Sequence, residues 1–334
     1  MGTLLSRLTG RRERVLDASE RPGEIELQAA GVRVVMVPAW GGRITVLELG
    51  GRQWLAPAEP PSEDPERRAL DAALAGGYQE CFPTVLPCRV LSKHTGVAFE
   101  QPALGELHRL VPAATIATLE GAVEATCTWT GDRLPYQFVR VVRASPGEIA
   151  MRYAVTNTGS APLPFIWAAN VAMPLGEATR LTLPENARSR VISQEGIDLL
   201  GVGAEHRWPR FRTAKKLVDM SAPDGIGGRF ACHLSFDVTS GVASVSEGGQ
   251  RLEVRFDVDE VSRVGLNVRR RLGGAGARLV ALQPAIGVPG ALASASGVDG
   301  SAAWLEPGAT RRWSLAWRAS SEEPVAATDR TSGE

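Results

Sequence analysis

The sequence predicts an all-β protein, a large antiparallel β-sandwich carrying one or two short helices. Period-two alternation of apolar and polar residues dominates the chain, and clusters of Gly, Pro, Asn and Asp separate the alternating runs. A single segment carries a well-formed helix signal, and no Pro- or Ser-rich linker interrupts the series of strands.

Taken in order, the first clear element is a strand from Gly42 and Arg43 that Gly50 and Gly51 turn back into a second strand ending at Trp54 and Leu55. The helix follows. Asp64 can cap it, Pro65 suits its first position, Leu70 and Leu74 share a face, and Gly76 can close it. Val123, Ala125, Cys127 and Trp129 then alternate with Glu124, Thr126 and Thr128. Ile149, Met151, Tyr153 and Val155 repeat the pattern before a turn at Asn157-Thr158-Gly159. In the run 250–258, Leu252, Val254, Phe256 and Val258 point one way and Arg251, Glu253, Arg255 and Asp257 the other. A short helical turn is expected after Pro289. Trp313, Leu315 and Trp317 form a last strand with Arg312, Ser314 and Arg318 on its other face. The strands read as one domain over 21–319, with a basic leader (1–20) and a polar tail (320–334) expected to be disordered.

Lys and Arg total 37 and so do Asp and Glu, with no long block of either sign, which argues against a nucleic-acid partner. No apolar run is long enough to span a membrane, and the N-terminal segment lacks the apolar stretch and cleavage site of a secretory signal, so the expected location is the cytoplasm. Cys81, Cys88, Cys127 and Cys232 lack disulfide-framework or zinc-ribbon spacing and read as reduced thiols. There is no phosphate-binding loop, no dinucleotide fingerprint, no G-x-S-x-G and no H-E-x-x-H, and His94, His108, His206 and His233 are the only histidines. Neither a cofactor nor a metal is expected.

Five segments in sequence order resemble the aldose 1-epimerase (galactose mutarotase-like) family, in a bacterial branch with a GG-x-x-E-x-FPT block. They are PAWGGRITVLELGGRQWLAP (38–57), GGYQECFPTVLPCRV (76–90), LGELHRL (104–110), LPFIWAAN (163–170), and LQPAIGVPGAL (282–292) running on to the Leu305-Glu306-Pro307-Gly308 turn. The resemblance implies a supersandwich fold and a small-molecule partner, a carbohydrate or glycosylated metabolite. In the family a late glutamate takes the proton from the C1 hydroxyl, a histidine closing the PF-x-W block protonates the ring oxygen, and a histidine in His-Gly-Glu-Leu holds the sugar. Those positions fall on Gln283, Asn170 and Leu104. Primary amides grip hydroxyls without carrying protons, so the resemblance implies a carbohydrate site with weak, altered or absent anomer exchange. A non-catalytic sugar-binding or sensor protein, and a different enzyme on the same scaffold, are the rival readings.

Other candidates have two readings each. Glu106 and His108, two apart and expected on a strand, would form a carboxylate–imidazole dyad, against the preferred reading of a loop anchor beside a packing ring. Glu80 is a hydroxyl ligand or a loop anchor. Arg43 and Arg89 reach a hydroxyl or an anionic substituent of the ligand, or form surface salt bridges. Trp167 stacks on a sugar face or belongs to the core, and Asn267 stands where the family often carries an aromatic residue, implying a changed pocket floor.

Overall fold

A computed structural model describes residues 12–15, 23–61, 76–91, 98–272 and 278–321. The helix expected over 65–75 lies outside the described residues, as do 1–11 and 16–20 of the expected leader and the tail from 322; Arg12–Val15, expected within the disordered leader, is instead a strand paired with Ala113–Leu119. Strands pair antiparallel into two large sheets. The nine-stranded sheet runs Arg12–Val15, Ala113–Leu119, Ala122–Thr130, Tyr136–Ser145, Glu148–Asn157, Thr310–Ser321, Gln250–Arg255, Val242–Glu247, Arg180–Thr182. The thirteen-stranded sheet has at its centre Arg188–Glu195, Phe230–Asp237, Arg263–Arg270, Arg278–Ile286, Trp167–Pro174, Gly77–Cys81 and Arg43–Leu49.

The alternation sets which face is buried. Met151, Tyr153 and Val155 pair with Leu315, Trp313 and Arg311 across neighbouring strands, and all but the arginine are buried. From the other sheet Tyr78 meets Trp317 edge-on at 6.2 Å, and Trp167 lies 4.9 Å from Tyr153 and 5.0 Å from Trp313. Each aromatic ring so enclosed contributes roughly 1.5–3 kcal/mol of burial free energy, which makes this aromatic layer the seam joining the sheets.

Local chemistry explains the turns. Gly50 and Gly51, at φ 64° and 75°, take the paired left-handed conformation of a tight hairpin, and Gly159 N–H donates to Asn157 Oδ1 at 2.9 Å. The helical turn expected after Pro289 is the helix Leu292–Ser296. One strand is shorter than its pattern. The run 250–258 is extended only to Arg255, because Asp257 accepts backbone N–H bonds from Asp259 and Val261 and bends the chain away.

Candidate functional site

The outer face of the thirteen-stranded sheet, turned away from the aromatic seam, carries a row of polar side chains. Cross-strand partners share a face, and the register sets Ser235 beside Gly265, Gly265 beside Gln283, and Asn170 beside Gln79. The pairs Ala168–Ala285 and Val171–Leu282 flank the gap and bring Asn170 opposite Gln283. At Pro284 the backbone has no N–H to continue the ladder.

The side chains close into a chain of hydrogen bonds. Gln283 Nε2 donates to Asn170 Oδ1 at 2.9 Å, and its Oε1 lies 2.8 Å from His233 Nε2. Since the Gln283 oxygen only accepts, His233 carries its proton on Nε2 and donates. The polarity runs from His233 through Gln283 to Asn170, leaving the Asn170 amide nitrogen as the donor end. Burial pushes the His233 imidazole down to about 4, against the opposing effect of its Gln283 bond, so the ring is neutral at physiological pH. Gly265 is required here: a Cβ would stand 2.6 Å from Gln283 Oε1. Along the row, Arg43 donates to Gln79 Oε1 at 2.9 Å and to the Glu59 carbonyl at 3.3 Å. Burial lowers Arg43 to about 10, which leaves it charged.

The site residues expected from the sequence divide between three regions. Asn170 and Gln283 are joined, with Arg43 on the same face, and Asn267 pairs with His233 in the adjoining strand, half-buried. Leu104 packs with Ala168 and Ala285, two residues along from Asn170 and Gln283, in an apolar cluster that closes this end of the row. The second region is the seam itself. Glu80, considered as a sugar ligand, points the opposite way from Gln79 and is buried with Arg140 Nη1 at 3.3 Å, Trp167 Nε1 at 2.8 Å and Tyr153 Oη at 3.3 Å. Burial pushes its carboxyl up against the pull of Arg140. Trp167 is fully enclosed there and offers no face to a ligand. Both belong to the core.

The third region is the periphery. Glu106 and His108 are not on a strand: Leu104 and Gly105, at φ 64° and 74°, break the extended chain, and a short 3-10 helix covers Leu107–Arg109. Glu106 Oε2 instead accepts the backbone N–H groups of Asp132 and Arg133 at 3.1 and 3.0 Å, the loop-anchor reading. Burial raises its carboxyl while those two bonds oppose the rise. His108 is buried with its backbone against Gly41. Arg89 is largely exposed, 3.7 Å from Glu100. His233 was not singled out in the sequence, although a signal was present: Phe230, Cys232, Leu234 and Phe236 face inward, which turns Ala231, His233 and Ser235 to the face of Gln283.

Among the described residues no group of three His, Cys, Asp or Glu is placed to hold a metal, and no helix is long and apolar enough to cross a membrane. No protein-family model matches the chain, and a comparison with curated proteins finds no match. Solved structures do match over nearly the whole chain. A protein from Synechocystis superposes with a TM-score of 0.65 at 16% identity, covering 90% of this chain and 96% of that one. A galactose mutarotase related enzyme from Lactobacillus acidophilus gives 0.63 at 12% identity, with 90% and 98% covered. A galactose 1-epimerase from the same species gives 0.61 at 11% identity, with 94% and 100% covered. At these identities the likeness is one of architecture: the chain has the galactose mutarotase-like β-sandwich fold.

Proposed function

We propose that this protein binds a carbohydrate on the outer face of its larger sheet and that its anomer interconversion is weak or absent. The observation that carries the reading is the chain His233–Gln283–Asn170. It sets two amides, hydrogen-bonded to each other, at the positions that the resemblance assigns to base and acid. Gln283 is 1% exposed and spends its oxygen and one N–H within the chain, so the Asn170 amide, 6% exposed, is the end that meets a hydroxyl group, and neither amide exchanges protons at neutral pH. Because a placed acid or base is each worth about 10²- to 10⁴-fold, a site with neither retains little of the acceleration. His233 does not fill the vacancy. Its imidazole is a weak base at about 4, and its Nε2 proton is engaged by Gln283.

Polarimetry of D-glucose and D-galactose mutarotation, run beside thermal-shift titrations with the same sugars, tests this. Sugar should raise the melting temperature while the rate of anomer exchange stays near that of buffer. Acceleration that Asn170→Ala and Gln283→Ala both abolish would overturn the reading.

A further inference from the structure

Two strands from Gln283, the same sheet face opens into a cleft of about 160 Å³. Its floor is Ser235, in register with Gly265 and hence in the row of Gln283, and Arg190 stands beside Ser235 on the next strand. The walls are three ion pairs: Arg190–Asp299 at 2.8 Å, Arg188–Glu205 at 3.2 Å, and Arg263–Asp237. Ser235 is 2% exposed, and its hydroxyl has no hydrogen-bond partner among the described residues although it lines the cleft. A buried hydroxyl left unpaired costs about 1–3 kcal/mol, and a ligand atom in the cleft would remove that cost.

The charges decide what kind of ligand fits. Three guanidinium groups and three carboxylates cancel, so an anion meets three carboxylates and a cation meets three arginines. A neutral polyol suffers neither repulsion, since each of its hydroxyls donates to a carboxylate and accepts from a guanidinium. Between the cleft and the amide chain stands an apolar step. Val288 lines the cleft, and Pro289 Cγ lies 3.0 Å from where a Gly265 Cβ would be. Two strand spacings separate Gln283 from Ser235, about 10 Å, the span of two linked pyranose rings rather than one.

We infer that the cleft is a second carbohydrate subsite, and that the ligand is a neutral disaccharide or longer glycan with one ring at the amide chain and the next beyond Pro289. The inference rests on the carbohydrate-binding reading for its first ring. It also gives the amides a reason. With the non-reducing ring at the amide chain, its anomeric carbon is locked in the glycosidic bond, so the site must grip that ring and has no proton to move.

Calorimetric titration of the full chain with D-galactose, D-glucose, lactose, maltose, cellobiose and D-galactose 6-phosphate tests it. At least one disaccharide should bind tenfold or more tightly than either of its component sugars. Arg190→Gln combined with Arg263→Gln, in a variant shown by circular dichroism to keep its fold, should reduce that disaccharide to the monosaccharide level and leave monosaccharide binding unchanged. If monosaccharides bind and are lost in Asn170→Ala, but disaccharides gain nothing, the second subsite is refuted and the sugar-binding function survives. Tighter binding of the phosphate ester, lost in the arginine variant, would replace the neutral ring by an anionic substituent and overturn the inference. If none of these sugars binds, both readings fall.

Discussion

At the scale of single residues, burial decides which polar groups are chemically available. His233 illustrates this: its ring sits in a dry environment that holds it neutral, with a value of about 4 against 6.5 for the free side chain. The sign of the resulting pH dependence follows. Between those values the unfolded chain binds a proton that the folded chain refuses, so the stabilisation is complete above about pH 6.5 and is lost as pH falls toward 4. The difference is on the order of 3 kcal/mol. Glu80 and Glu106, raised by burial, act in the opposite sense in an overlapping range. A comparison of urea midpoints for the parent and His233→Gln between pH 7 and pH 4 therefore isolates the histidine. The parent should lose more stability than the variant, and parallel pH curves would show that the ring is not held neutral. The residue scale is also where the sequence was hardest to read. Asn170 and Gln283 were legible because family-like blocks surround them. Glu80 was not, because neighbours on a strand face opposite ways and the block GGYQE does not reveal whether Gln79 or Glu80 turns to the seam. Partner strands settle it: Gln79 lies beside Asn170, and Glu80 meets Arg140 and Trp167.

At the scale of elements, alternation located strands well and their ends poorly. Met151, Tyr153 and Val155, and Trp313, Leu315 and Trp317, are all buried as their spacing predicts. The segment LGELHRL departs from its predicted strand because of close approach rather than propensity. A Cβ on Gly105 would sit 2.0 Å from the Phe82 carbonyl oxygen, whose residue receives the Glu106 N–H at 2.9 Å. The left-handed turn at Leu104–Gly105 is therefore imposed by docking against Phe82, a long-range contact that local sequence does not encode. Gly105→Ala should cost about 2–4 kcal/mol from strain and clash together. Gly121→Ala provides the control: its φ is similar at 69°, but no atom lies within 4 Å of the added carbon, so only the conformational cost of about 1–2 kcal/mol remains. Urea denaturation of the two variants measures the difference, and equal losses would remove the packing account of the turn.

At the scale of the whole molecule, the path of the chain binds the two sheets into one unit. The nine-stranded sheet takes strands from Ala113–Asn157, Arg180–Thr182, Val242–Arg255 and Thr310–Ser321, and the thirteen-stranded sheet takes those in between, such as Trp167–Pro174, Arg188–Glu195 and Arg263–Ile286. No cut in the sequence separates one sheet from the other, so neither can form its buried face without the chain that builds its partner. The seam supplies the energetic counterpart, since Tyr78 and Trp167 from one sheet pack on Tyr153, Trp313 and Trp317 from the other. This interleaving predicts one cooperative unfolding transition, the behaviour expected of a single domain. Far-ultraviolet circular dichroism reports the strands, whereas tryptophan fluorescence reports the packing of buried indoles that include Trp129, Trp167, Trp313 and Trp317. Along a guanidinium titration the two signals should share one midpoint and one slope. Most native contacts join distant parts of the sequence, so refolding should be slow, in the range of milliseconds to seconds or longer. Loss of the fluorescence signal at a lower denaturant concentration than the dichroism signal would mean that the seam opens while the sheets persist, and that the sandwich is two weakly coupled layers.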